Sequence, residues 1–490
     1  MKKNILYKAI FLGLILMGTQ ACVEKFEEVN KNINDPEKVS LNLVLTSAQA
    51  DVFEGFGDDW DRFSGLFTQH FAGNHASGVS YDRYIFRNAD EETTFDFMYR
   101  RAFMDLNDLR IKGAEQEAWS YVGVAEILTA IGLGHLTDVY GDIPWSQALN
   151  SEEYLYPVYD SQESIYKEIQ ALLSSGLANL EKNSDVELSG DLIYGGSKDN
   201  WKAAAYVLQA RYHNHLSEID PGGSAEKALA AIDKAKDAGF DGSMDFQYNY
   251  EGSVSHLNPW YSLYLNNLII ASKVFMDALL NNNDPRVHAY FDQTPYGTTD
   301  PVGHVGKENG YGTDPNSYSP VGPYGYFGKE GSPVLIATYF EMLFIEAEAA
   351  LRLENQGRAD EAYNMAVKAS LDKVMPTILE DAEHYSSEEL EAIALEMEGY
   401  LNNFTGLTGV SLEQVMTEKH KAMFTQGVES WVDVRRHDYK YPSYLHIPIA
   451  NGSPIGNNFI RRILYPQTEL EKNSKNVPDV GIFDKLWWDK

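Results

Sequence analysis

The single cysteine of this 490-residue chain, Cys22, ends the run Gly18-Thr19-Gln20-Ala21-Cys22. Before it lie an apolar stretch from Ala9 to Met17 and a start made basic by Lys2, Lys3 and Lys8. Basic, apolar and small-residue segments in that order form a secretion signal, and the apolar run is short of the roughly 20 residues a spanning helix needs. A cysteine at that point is the natural acceptor of a diacylglycerol. Residues 1–21 are therefore read as a lipoprotein signal peptide and Cys22 as the lipidation site. With one cysteine there is no internal disulfide to form.

The remaining residues with chemical potential do not assemble into a catalytic pattern. The twelve histidines are scattered, and neither His213 with His215 nor His70 with His75 has the spacing that puts two metal ligands on one helix face. The sequence contains no H-E-x-x-H, G-x-x-x-x-G-K-[ST], G-x-S-x-G or EF-hand loop. Paired acids such as Asp58-Asp59 and Glu388-Glu389 arise by themselves in a chain with 72 acidic residues, so they do not mark a glycosidase pair. No catalytic residue, metal or cofactor is assigned. The formal charge is −32; losing the leader removes three lysines and no acid, which takes it to −35. Such a surface repels nucleic acid and anionic lipid headgroups.

Aromatic residues are the positive signal, at 12% of the chain. Between residues 281 and 333 the sequence is rich in Gly, Pro, Asp, Asn and Tyr, with Tyr296, Tyr311, Tyr318, Tyr324 and Tyr326 among turn formers. A shorter polar and aromatic loop at 72–88 carries Asn74, His75, Tyr81, Arg83 and Tyr84. Loops this long are uncommon unless functional or disordered, and tyrosine offers a flat apolar face with a polar tip that suits sugar rings and peptide side chains.

Helices must position these loops. Residues 23–40 mix Asn, Lys, Glu and Pro and read as a tether from the lipidated cysteine. Helices are predicted at 42–56 and 59–72. Three stretches then read as antiparallel helix pairs: 119–133 with 161–180, 201–212 with 225–235 across a Pro221-Gly222-Gly223 turn, and 341–353 with 360–374. Large and small residues alternate at helical spacing in each, as in tetratricopeptide-like repeats, and each pair has an apolar face it cannot bury alone. The predicted fold is mainly all-α, one helical domain over 41–490 with the loop-rich insert at 281–333. Between Leu412 and Tyr439, Leu412, Val415, Met416, Ala422, Met423, Gly427, Trp431 and Val434 share one helical face. Lys419 is the one charge on it, and Glu418, Lys421, Glu429 and Arg436 are expected to face water. Gly427 implies a break in the helix or a close backbone neighbour.

That last stretch carries a family resemblance. Glu418, Lys419, Gly427, Glu429, Trp431, Asp433, Arg435 and Arg436 resemble the C-terminal signature of SusD/RagB-type nutrient-binding outer-membrane lipoproteins of the Bacteroidetes. Asn34-Asp35-Pro36, the 135–145 segment HLTDVYGDIPW, Asp191 to Gly196 with Asn200-Trp201, Asp284-Pro285-Arg286, and the block Arg461 to Pro466 with Glu469 and Asn473 resemble further parts of it. Where the family has Thr-Gly-Tyr-Pro after the arginines, this chain has His437 to Pro442. The resemblance implies a lipoprotein on the extracellular face of the outer membrane that is not an enzyme. It would bind a nutrient and deliver it to a SusC-like TonB-dependent transporter. An oligosaccharide is the first choice of ligand and a peptide the second. Glu24, Glu27 and Glu28 resemble the surface-export signal of such lipoproteins. By correspondence with the family, ligand would meet the loops at 72–88 and 290–327, with Tyr81, Tyr296, Tyr311 and Tyr324 as stacking platforms and Asn74 and Arg83 as hydrogen-bonding groups. A secreted glycoside hydrolase and a protein-only helical scaffold are the competing classes; turnover of a glycan panel separates the first.

Overall fold

The computed structural model describes residues 39–57, 59–253, 256–294, 303–312, 317–448 and 458–490. Cys22, the leader, the tether up to residue 38 and Tyr296 lie outside the described residues.

The first helix, α1 (Leu41–Gly57), buries Val44, Leu45, Ala48, Val52, Phe53 and Phe56 along one stripe. The next, α2 (Asp59–Phe67), stops short of the predicted end near residue 72. Gln69 adopts a left-handed φ of 60°, which a helix of L-residues cannot carry onward. Strand β1 (Phe71–Gly73) follows and pairs antiparallel with residues 269–271. The chain then forms α3 (Ala76–Asp82).

The scaffold is a stack of antiparallel helices. In order, α4 (Phe103–Glu115) packs on α5 (Trp119–Tyr140), with β2 (Ile143–Pro144) and β3 (Tyr159–Asp160) paired in the loop that leads to α6 (Gln162–Leu180). Then α6 packs on α7 (Lys198–Asn214) and α7 on α8 (Pro221–Asp237). After β4 (Phe246–Tyr248), α9 (Pro259–Leu265), β5 (Ile269–Ala271) and β6 (Val334–Ala337), the stack resumes with α10 (Tyr339–Arg352) against α8 and α11 (Gln356–Leu379) against α10. All three predicted pairs form. Ser161, Ser197, Thr338 and Asn355 cap their helices, each side chain accepting a hydrogen bond from a first-turn N–H. Pro221-Gly222-Gly223 is not a turn between helices but the first turn of α8. Proline's fixed φ suits that position, and the Asp220 carboxylate accepts from the Gly223 N–H.

Helix α5 is apolar enough to cross a membrane by composition, yet it is buried inside the protein along its length. A helix apolar all round is a core helix once neighbours cover every face. Its approach to α6 depends on glycine: a Cβ on Gly123 would lie 2.8 Å from the Gly176 carbonyl oxygen.

The C-terminal signature forms two helices, α13 (Leu412–Ala422) and α14 (Gly427–Arg436), preceded by α12 (Ser387–Phe404). Both readings of Gly427 hold. The chain breaks at Thr425, whose φ is 69°, and a Cβ on Gly427 would collide with the Asp61 carbonyl of α2. The charges expected in water are not there. Glu418, Lys421, Glu429 and Arg436 are all buried, because α13 and α14 are covered on their polar side as well, and each charge meets an opposite one. Arg286 bridges Asp284 (2.6 Å) and Glu418 (2.8 Å), with Lys421 on the second oxygen of Glu418 at 2.7 Å. Arg436 joins Glu348 (2.9 Å) to Asp433 (2.6 Å), which also takes Lys419 at 2.8 Å. Arg211 binds Glu341 at 2.7 Å and faces Glu429 at 3.3 Å. These networks tie repeat helices to the signature helices. A buried ion pair adds little net stability, but removing one partner strands the other.

Candidate functional site

An open cleft of about 450 Å³ lies where α1, α2, β4 and α9 meet. Glu54 of α1 and Arg62 of α2 enter it from one side, Tyr248 and Tyr250 from the end of β4, His256 from the following loop, and Ser262 and Asn266 from α9 and its end. Tyr248 is fixed from below by Phe53, whose ring centroid is 5.3 Å away. Tyr250 packs edge-on against Tyr248 at 5.0 Å and tilts against His256 at 4.9 Å. The Glu251 N–H donates to His256 Nδ1 (3.3 Å), so the imidazole proton sits on Nε2 and is donated to the Tyr248 hydroxyl 3.0 Å away. That chain of contacts orients the half-buried Tyr250. Arg62 lies over Phe63 (4.8 Å) and Tyr81 (5.9 Å). The cleft thus combines an aromatic wall with a cation, an anion, an amide and a hydroxyl, which suits a ligand with flat C–H faces and many hydroxyls.

The two loops singled out in the sequence come together beside this cleft. The backbone of Asn74 donates to the Leu268 carbonyl (2.9 Å), and Leu268 lines the cleft. The Asp82 carboxylate accepts from Asn309 (2.7 Å) and from the Gly310 N–H (2.6 Å), and Arg83 Nε donates to the Gly310 carbonyl (2.8 Å). Lys307 Nζ reaches the carbonyls of Gly73 and Tyr311. Burial pushes the Asp82 carboxyl up to about 6, against the hydrogen bonds and Lys307, which pull it down.

Of the individual candidates, Tyr311 is 51% exposed at this junction. Tyr324 is half-buried elsewhere, against His384 at 4.2 Å. Tyr81 is not a platform: its ring is buried, stacked on Phe86 at 4.8 Å and edge-on to Phe63 at 4.4 Å. Asn74 is wholly buried, its amide donating to Asn267. A loop sequence implies exposure for both, but this loop folds back: the Tyr81 ring lies under Arg62, and Asn74 is covered beside Asn267. Tyr250, His256, Arg62, Glu54 and Asn266 carry no motif that marks them in the sequence. The alternation Tyr248-Asn249-Tyr250 was the available signal.

A family profile described as starch-binding associating with outer membrane, SusD-like, matches residues 33–466. The chain belongs to the SusD-like family. No curated protein matches it. Among solved structures, it is similar to a chitin-binding protein (23% identity, TM-score 0.75, covering 92% of this chain and 100% of that one). It is also similar to a SusD/RagB family protein from Bacteroides thetaiotaomicron (20%, 0.76, 92% and 99%) and a chitin-binding SusD homolog from Flavobacterium johnsoniae (22%, 0.72, 91% and 98%). At these identities the likeness is one of fold.

One cluster in this SusD-like chain has the composition of a metal site. Asp138, His215 and Glu429 bring ligand atoms within 4.8 Å of one another. His215 Nε2 is 3.0 Å from Glu429, and Nδ1 is 3.4 Å from Asp138 and 3.0 Å from the Tyr166 hydroxyl. Burial pulls the imidazole's pKa down, but Glu429 and Asp138 overcome it and raise the pKa to about 9. The imidazolium is therefore the cation that neutralises the pair, with Arg211 beside it. A divalent ion would have to displace that proton and sit next to a guanidinium, so the cluster reads as a buried ion network. Helix spacing gave no hint of it, because its members come from α5, α7 or its end, and α14.

Proposed function

We propose that this SusD-like chain is a surface-exposed outer-membrane lipoprotein that captures an oligosaccharide in the Tyr250 cleft and delivers it to a SusC-like TonB-dependent transporter. The carrying observation is the cleft itself: Tyr250 and His256 form a wall flanked by Arg62, Glu54 and Asn266. The chitin-binding relatives and the family's starch-binding description support carbohydrate as the class. Tyr311, exposed on the adjoining junction, extends the surface on which a longer chain would lie. Tyr324, and Tyr296 by its place in the sequence, belong to the same mid-chain segment. The protein binds and does not turn over its ligand. Peptide is the second reading, favoured by the opposite charges of Glu54 and Arg62, which match the two ends of a short zwitterion.

The test is calorimetry with chitin, starch and cellulose oligosaccharides and with short peptides. Tyr250→Ala should fold normally and lose about five- to 150-fold in affinity for the bound class, the cost of one aromatic contact. Unchanged affinity in a folded Tyr250→Ala protein places the site elsewhere; peptide binding without sugar binding reverses the order of the two readings.

A further inference from the structure

A second cleft, about 460 Å³, opens among α4, α5, α6 and the hairpin of β2 and β3. Its floor holds buried Phe103 and Thr129, and its walls hold Trp145, Asn107, Arg110 and Glu168. Trp145 is set there rigidly. Its backbone N–H and that of Ser146 both donate to the Asp160 carboxylate (3.0 and 2.7 Å), and the preceding Pro144 carbonyl accepts from the Tyr99 hydroxyl at 2.6 Å. The indole meets the Phe103 ring edge-on at 5.4 Å and remains half-exposed. Further along the same loop, Leu149, which also lines the cleft, holds a φ of 61°. Arg110 donates to the Asn107 side-chain oxygen at 3.0 Å, which leaves the amide nitrogen of Asn107 as a donor in a cleft that Trp145 also lines.

We propose that the Trp145 cleft is a second carbohydrate subsite, taking a neutral sugar residue against the indole, with Asn107 and Arg110 donating hydrogen bonds to its oxygens and the Glu168 carboxylate accepting from its hydroxyls. Its charge is the guide to ligand class. In a chain of formal charge −32, this cleft pairs one cation with one anion, a balance that suits an uncharged polyol over an anion or a cation. Planar amide, guanidinium and carboxylate groups beside an indole match vicinal hydroxyls and a sugar's C–H face. This shares with the preceding proposal the ligand class but not the site.

The experiment is fluorine NMR of the full chain labelled with fluorotryptophan, the Trp145 resonance being identified by its loss in Trp145→Phe. Chitobiose, maltose and cellobiose are the probes, titrated into the millimolar range. At least one should shift the Trp145 resonance saturably, and equally so in Tyr250→Ala. The double variant Asn107→Ala, Arg110→Ala should melt like wild type and bind that probe about tenfold more weakly. A Trp145 resonance unmoved by all three sugars overturns the proposal, as does a shift unchanged in the double variant or abolished by Tyr250→Ala. Failure at the first cleft alone leaves the Trp145 signal in place, so the two proposals fail separately.

Discussion

His215 sits between the carboxylates of Glu429 and Asp138, almost wholly buried. Its folded pKa is about 9 against an ordinary 6.5. A raised pKa means the folded state holds the proton more tightly than the unfolded one. The stabilisation is therefore complete below pH 6.5 and is lost as pH rises through about 9, a loss of roughly 3 kcal/mol for a shift of this size. Denaturant melts across that window should show wild type losing stability relative to His215→Gln. The variant should start lower by about 3–5 kcal/mol, since it leaves two carboxylates without their cation. A constant gap between the two proteins would show that His215 does not carry the proton. Helical spacing gives His215 no second ligand on its own face, and its partners, 77 and 214 positions away, are beyond what any local pattern reports.

At the scale of elements, the meeting of α14 with α2 is set by one glycine. Gly427 touches the Asp61 carbonyl, and the next residue, Val428, donates its N–H to the Asp61 carboxylate at 3.0 Å. Gly427→Ala should destabilise the protein by about 1–3 kcal/mol through overpacking, although alanine is the better helix former by about 1 kcal/mol. Gly357→Ala in α11, exposed with nothing within 4 Å of its Cβ position, is the control and should gain about 0.4–1 kcal/mol. Equal urea midpoints for the two variants would refute the contact. The spacing of apolar residues made the existence of these helices legible, and Gly427 marked the break. The burial of Glu418, Lys421, Glu429 and Arg436 was not legible, because a helical wheel gives faces and not what covers them.

For the whole molecule, the anchor and the partner remain proposals with direct tests. Removal of the leader would take the formal charge from −32 to −35, which repels an anionic surface, so the proposed anchor is the acyl chains on Cys22, at about 0.8 kcal/mol per buried methylene. Cys22→Ser should leave the outer-membrane fraction and appear as soluble protein, while wild type incorporates labelled fatty acid. Retention of the variant together with an unlabelled wild type would overturn the lipoprotein assignment. Mild detergent extraction should likewise recover the chain with a TonB-dependent barrel. Recovery of the chain alone in every mild detergent would count against the transporter as partner.

The sequence by itself determined the helical repeats, the family and the two loops that adjoin the first cleft, because each is written in local spacing or in short motifs. Tertiary structure alone decided which aromatics face outward. Tyr81 and Tyr250 are both tyrosines in polar, loop-rich contexts, yet the first is roofed by Arg62 and stacked on Phe86, while the second stands half-open beside His256. Exposure of a ring depends on what packs over it in space: Arg62 and Phe63 of α2 and the nearby Phe86 cover Tyr81, whereas Tyr250, just past the end of β4, lines the open cleft.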